Sequence, residues 1–202
     1  MAKPVSGFAK FCRKVRRASK NDDGAVAVEF AIIALPFFAL LFAIIELAII
    51  FFLNSSLESS TFEAARQIRT GTYCGDEDSF KLEVCRGMNP GSPDSDLDVC
   101  KARTDVRIRQ MGAGFGSSVN LNWNPQPAPV PPPPGYTPPP PNYTATNGGE
   151  TVLVAVRYRH PLTIPGELTR LANASDNTNA RDIFAVSAFR NEPFGAAATC
   201  GP

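Results

Sequence analysis

From Phe30 to Leu53 the chain is apolar at nearly every position, with Glu46 as the single charge. A membrane helix needs about 20 such residues at 1.5 Å rise each, so the pattern predicts one transmembrane helix. No second run of that length follows, which argues against a multi-span transporter or channel. Past Leu53 the period changes but the helix continues. Leu57, Thr61, Ala64, Ala65 and Ile68 recur at spacings of three and four, with Glu58, Glu63, Arg66, Gln67 and Arg69 filling most of the remainder. Gly71 is the expected stop, and Pro36 is expected to kink the helix inside the membrane. Beyond residue 70 the period becomes two. Thr151 to Arg159 and Ile183 to Phe189 are β-branched and aromatic, bounded by Asn147-Gly148-Gly149 and Pro161. Alternation over Val99 to Arg109 predicts a third strand and Val119 to Trp123 a short fourth. Residues 125–141 hold 11 prolines in 17 positions, which favours a stiff polyproline II loop over a strand. A docking ligand for an aromatic groove is the sharper alternative for that loop. The expected fold is α+β. A basic leader (1–24) precedes a membrane helix (25–53), an amphipathic extension (54–70) and a small head (71–202) with an antiparallel sheet.

The net charge of +1 conceals an asymmetry. Lys3, Lys10, Arg13, Lys14, Arg16, Arg17 and Lys20 precede Gly24, against Asp22 and Asp23 alone; the remainder is acidic. A basic flank ahead of one apolar span places the N-terminus in the cytoplasm and the head across the membrane. The apolar run is too long for a cleaved secretory signal, and its small-residue end runs on into helical sequence. The junction Gly24-Ala25-Val26-Ala27-Val28-Glu29-Phe30 carries more information. Glu29 is read either as a marker of the membrane interface or as the partner of an amine freed at Ala25 on a neighbouring subunit, since a carboxylate at the edge of hydrocarbon calls for a partner.

That junction resembles the prepilin-peptidase site of type IV-type pilins. The stretch from Gly24 through Glu29 to Pro36, followed by Phe42-Ala43-Ile44-Ile45-Glu46, is similar to the TadE/TadG-like family of tight-adherence pilus systems. The polar extension ending near Ala64-Ala65-Arg66 and the closing Arg190-Asn191-Glu192-Pro193-Phe194 also resemble that family. The resemblance covers the first 70 or so residues well and the rest in patches. It implies cleavage between Gly24 and Ala25 by a prepilin peptidase, with Glu29 and Glu46 as assembly residues. It also implies a pilin-like shape and partners among other pilin-like subunits, packed helix against helix in lipid.

Cysteine usage agrees with the topology. Cys12 lies in the leader and is expected to stay reduced, whereas Cys74, Cys85, Cys100 and Cys200 lie beyond the membrane. Their spacings fit neither a zinc site nor a redox CxxC. Four cysteines allow three connectivities; the preferred one joins Cys85 to Cys100 and Cys74 to Cys200, although spacing alone does not decide it. The sequence holds no catalytic constellation. His160, the only histidine, stands before Pro161 at a strand end, and there is no P-loop, Gly-x-Ser-x-Gly or His-Glu-x-x-His. The acidic groups Asp76-Glu77-Asp78 and Asp94-x-Asp96-x-Asp98 are read as solvated loops, because the glycine and terminal glutamate of a calcium loop are missing. No cofactor and no metal are expected. Nucleic acid is not an expected partner, since the basic residues sit in the leader, where topology accounts for them.

The functional expectation is a minor pilin-like subunit or assembly component, processed by a prepilin peptidase and supporting surface adhesion. It would lie in a bacterial inner membrane with the head in the periplasm, or be incorporated into the pilus. The alternative is an unprocessed single-span envelope anchor or periplasmic scaffold.

Overall fold

The computed structural model describes residues 22–73, 75–112, 114–116, 119, 121, 123, 142–144, 146–165, 169–174 and 178–194, with side chains from residue 26 onward. Among the described residues three helices and three strands run in the order α1 (Asp22–Thr70), α2 (Glu77–Met88), α3 (Asp94–Ala102), β1 (Thr104–Gln110), β2 (Thr151–Pro161) and β3 (Ala180–Arg190), with a 3-10 turn at Gly114–Gly116. The chain divides into two compact units, residues 1–47 and 48–202. In the first unit α1 is apolar and largely exposed, with Phe30, Ile32 and Leu35 each at least two-thirds bare. The helix is long and apolar enough to cross a membrane. It continues through Pro36.

The second unit is an α+β head built on the tail of α1. Leu57, Thr61, Ala64, Ala65 and Ile68 are all buried, so the three-and-four spacing becomes one contiguous stripe. The stripe shares a core with Val106 and Ile108 of β1, Val152, Val154 and Val156 of β2, and Ile183 and Ala185 of β3. The helix ends where the chain must turn left-handed. Gly71 has φ of 71°, its N–H donates to Ile68 O at 3.1 Å, and Thr72 N–H donates to Gln67 O at 3.0 Å. This pair of bonds satisfies two of the last helical carbonyls, as in a Schellman motif.

The sheet is antiparallel in the order β1-β2-β3, in register from Thr104↔Tyr158 to Gln110↔Val152 and from Thr151↔Arg190 to Pro161↔Ala180. Odd positions of β3 (Ile183, Ala185) face the core and even ones (Phe184, Val186) are exposed, as a period of two requires.

Three local expectations need correction. The segment Val99 to Arg109 is not one strand: α3 runs to Ala102 and β1 starts at Thr104. Asp94 and Asp96 occupy the first turn of α3 and Lys101 the last, so its charges follow the helix dipole. The acidic groups are therefore helix N-termini rather than loops. Asp76 is the N-cap of α2 and accepts from the Ser79 N–H at 2.9 Å and from its hydroxyl at 2.7 Å. Those bonds hold the Asp76 carboxyl below its usual range. Val119, Leu121 and Trp123, the described residues of the expected fourth strand, belong to no strand.

Helix α2 buries Phe80, Val84 and Cys85 on one side. It approaches α1 closely at Gly87, where an added Cβ would lie 2.8 Å from Ser60 Cβ. Cys85 and Cys100 are disulfide-bonded, joining α2 to α3, and the Thr104 hydroxyl at the start of β1 lies 3.7 and 3.8 Å from the two sulfurs. Cys74 and Cys200, like Cys12 and the proline-rich loop 125–141, lie outside the described residues. A loop of this size constrains the unfolded chain by roughly 3 kcal/mol. Cys85→Ser with Cys100→Ser is expected to lower the stability of the head by about 2–4 kcal/mol in urea unfolding of the detergent-solubilised protein. An unchanged midpoint would show that packing alone holds α2 and α3.

Candidate functional site: the N-terminal helix and the closing segment that holds its end

Asp22 and Asp23 open α1 ahead of Gly24, so the expected processing bond falls inside helical backbone. Gly24 and Ala25 both lie within α1. Glu29 follows on an exposed face of the helix. Glu46 differs: it is only 3 % exposed, whereas its neighbours Ile45 and Leu47 are 47 % and 42 % exposed. The two carboxylates are thus in different surroundings. Their separation along an unbroken helix is about 26 Å, close to the thickness of a hydrocarbon core.

At the other end of α1 the closing segment Arg190 to Phe194 forms a clamp. Glu192 N–H donates to Arg69 O at 3.0 Å, and the two side chains pair at 3.6 Å. Phe194 packs over Gly71, where a Cβ would come within 2.6 Å of the ring, and its carbonyl oxygen would meet any Cβ placed on Gly148. Asn191, 3 % exposed, ties the loop before β2 into this joint. Its Nδ2 donates to Thr146 Oγ1 at 3.0 Å and to Asn147 O at 2.9 Å, while its N–H donates to Glu150 O at 2.8 Å. The glycines at 71 and 148 are therefore needed for close approach, and the Asn-Glu-Pro-Phe sequence fastens the last turn of the helix to the sheet.

Sequence reasoning overlooked a charged layer on the sheet face opposite the core. Arg107, Arg109 and Arg157 are all buried there. Arg157 is paired with Asp105 and, at 3.6 Å, with Asp182; Arg159 reaches the same Asp182 at 2.9 Å. Trp123 lies over both Arg107 and Arg157, 5.3 Å from each guanidinium, and its ring is 5.6 Å from that of Phe184. Burial draws the Arg107 and Arg109 guanidinium groups below their usual range. The signal was Asp105, Arg107 and Arg109, charged residues at alternate positions that mark one face of a strand. Among the described residues no three His, Cys, Asp or Glu side chains gather as metal ligands.

With this geometry in place, the comparison with known families concerns the long helix. Residues 24–66 match the model of the TadE family, TadE-like protein. No curated protein and no solved structure matches the chain. The TadE-like segment contains Gly24, Ala25, Glu29, Pro36 and Glu46, and it ends inside the buried stripe of the amphipathic extension. The clamp at Arg190 to Phe194 lies outside the matched residues.

Proposed function

We propose that this chain is a minor pilin-like subunit or assembly component of a bacterial tight-adherence pilus. The observation that carries the reading is the TadE-like segment, in which a small-residue junction, a carboxylate five positions on and an apolar helix follow a basic leader. In this account the leader is cytoplasmic, a prepilin peptidase cuts after Gly24, and the head stands in the periplasm. The chain is the peptidase's substrate and not itself an enzyme. The apolar helix then moves among other pilin-like helices, and the freed Ala25 amine meets the Glu29 carboxylate of a neighbour. The clamp at Gly71 makes the head and helix tail one packed unit, so force on the helix reaches the head.

One observation favours the rival reading, an unprocessed anchor or scaffold: the bond after Gly24 lies in helical backbone, and a protease requires that bond unwound. Gly24→Arg separates the two. Co-expressed with the matching peptidase, wild-type protein is expected to run as the shortened form. The Gly24→Arg variant should retain its leader, because only a small residue fits the peptide path at that site. Equal mobility of both proteins at full length would favour the anchor.

A further inference from the structure

We infer that Asn147–Gly148 is a site of non-enzymatic deamidation, protected by the closed clamp, and that the reaction, once it occurs, keeps the clamp from closing again. The inference rests on the geometry of the head alone and does not depend on the pilus reading.

The sequence supplies the reactive pair. Asn147 is the one asparagine of the chain that precedes a glycine, and the residue is exposed to water. The backbone nitrogen of Gly148 attacks Cγ of Asn147, an approach that no Cβ on the glycine crowds. The new N–C bond closes a five-membered succinimide, and the side-chain nitrogen leaves as ammonia. Water then opens the ring. Attack at Cγ gives aspartate; attack at the main-chain carbonyl gives isoaspartate, whose backbone runs through the former side chain. The balance is asparagine plus water going to acid plus ammonia, so no oxidant, metal or second protein is required.

The structure restrains that reaction. Ring closure requires the peptide between Asn147 and Gly148 to be free to turn toward Cγ, and the groups that would move are tied. Asn147 Nδ2 donates to Glu150 Oε1 at 3.1 Å, and the Asn147 N–H donates to Glu150 Oε2 at 2.7 Å. The Asn147 carbonyl oxygen accepts from Asn191 Nδ2 at 2.9 Å. Gly149, with φ of 79°, donates its N–H to Asn191 O at 3.2 Å. Gly148 is backed by the main chain of the closing segment: a Cβ there would lie 2.7 Å from Phe194 N and 3.1 Å from Glu192 O. Turning the peptide shifts Gly148 against that backbone, so it turns only where the closing segment has moved off. The reaction therefore draws on the population in which the clamp is open, a local rather than a global unfolding.

The products do not fit the closed clamp. Aspartate at 147 sets a carboxylate where the amide donated to Glu150, so a hydrogen bond becomes a repulsion between like charges. Isoaspartate lengthens the main chain by a methylene inside a turn fixed to Asn191, and displaces the carbonyl that accepts from Asn191 Nδ2. Asn191 is buried, and the next residue, Glu192, is bonded to Arg69 at the end of α1. Damage at 147 is thus passed to the hold on the helix. Opening permits the reaction, the reaction disfavours closing, and the head loosens its grip on the helix tail in one direction only.

The test follows the full-length protein in detergent micelles beside a free peptide, Thr-Asn-Gly-Gly-Glu, in mildly alkaline buffer. Peptide mapping counts aspartate and isoaspartate at position 147. Wild-type protein is expected to react at least about tenfold more slowly than the peptide, because only its open population reacts. Phe194→Ala removes the ring that seats the closing segment on Gly71, and should raise the rate at least about fivefold over wild type. Asn147→Asp, made directly, should speed hydrogen exchange at the Asn191 and Glu192 N–H groups, whose bonds to Glu150 O and Arg69 O belong to the clamp. This arm and the comparison with the peptide stand even where Phe194→Ala unfolds the head. A wild-type rate equal to that of the peptide, a rate indifferent to Phe194→Ala in a folded head, or exchange unchanged by Asn147→Asp would overturn the inference.

Discussion

Glu29→Gln will insert normally and accumulate at wild-type levels, but cells carrying it will lack pili and fail to adhere. The glutamine keeps the shape of the side chain and removes its charge. If the Glu29 carboxylate pairs with the amine of Ala25 on a neighbour, the substitution strands that ammonium at the edge of the hydrocarbon. Removing one partner of a buried ion pair costs about 3–5 kcal/mol. Every 1.4 kcal/mol is a factor of about ten in association, so subunit capture should fall by more than a hundredfold. Glu46→Gln should be milder, because Glu46 lies about 26 Å along the helix from Glu29, away from the amine that the pairing would engage. Normal piliation and adhesion with Glu29→Gln, at equal protein level, would remove the charge pair from the account.

The second large effect concerns the head. Phe80 is fully buried and meets the Tyr73 ring edge-to-face at 5.6 Å. Burial in the same cluster pushes the Tyr73 phenol well above its usual range. Phe80→Ala is expected to cost about 3–5 kcal/mol, through lost transfer energy and the cavity left behind. Against a typical domain stability of about 5–15 kcal/mol that is a large share. Urea unfolding followed by the fluorescence of Trp123, the only tryptophan, would measure it. Phe62→Ala is the control: Phe62 is 60 % exposed, and its loss should change stability by no more than about 0.5 kcal/mol. Similar destabilisation by both would mean that the cluster around Phe80 does not carry the head.

How far the structure was legible from sequence varied with the range of the contacts concerned. The long helix and its buried stripe could be read because helical spacing is local, and Gly71 marked its end. Strands β2 and β3 could be read because their β-branched runs are bounded by turn residues. Helices α2 and α3 were overlooked although their signals were present. Asp76 three residues before Ser79, and acidic residues after Pro93, are ordinary helix starts, but they look like solvated loops when the short apolar stripe of Phe80, Val84 and Cys85 is ignored. The boundary between Ala102 and Thr104 was blurred because α3 ends on residues that also fit a strand. The clamp was recognisable in sequence only as a family-like ending. What it does depends on Gly71, Gly148 and Asn191 meeting across long stretches of chain, which no local pattern encodes. The arginine layer under Trp123 was hidden for the same reason, since partners such as Asp105 and Asp182 are far apart along the chain.

The most direct test of the central claim is the N-terminal sequence of the protein extracted from membranes of a host that carries the matching peptidase. Processing as a pilin-like subunit predicts a start at Ala25, with Val26-Ala27-Val28-Glu29 following. Material that begins at Met1 throughout, with the basic leader intact, would contradict it and leave a membrane-anchored envelope protein.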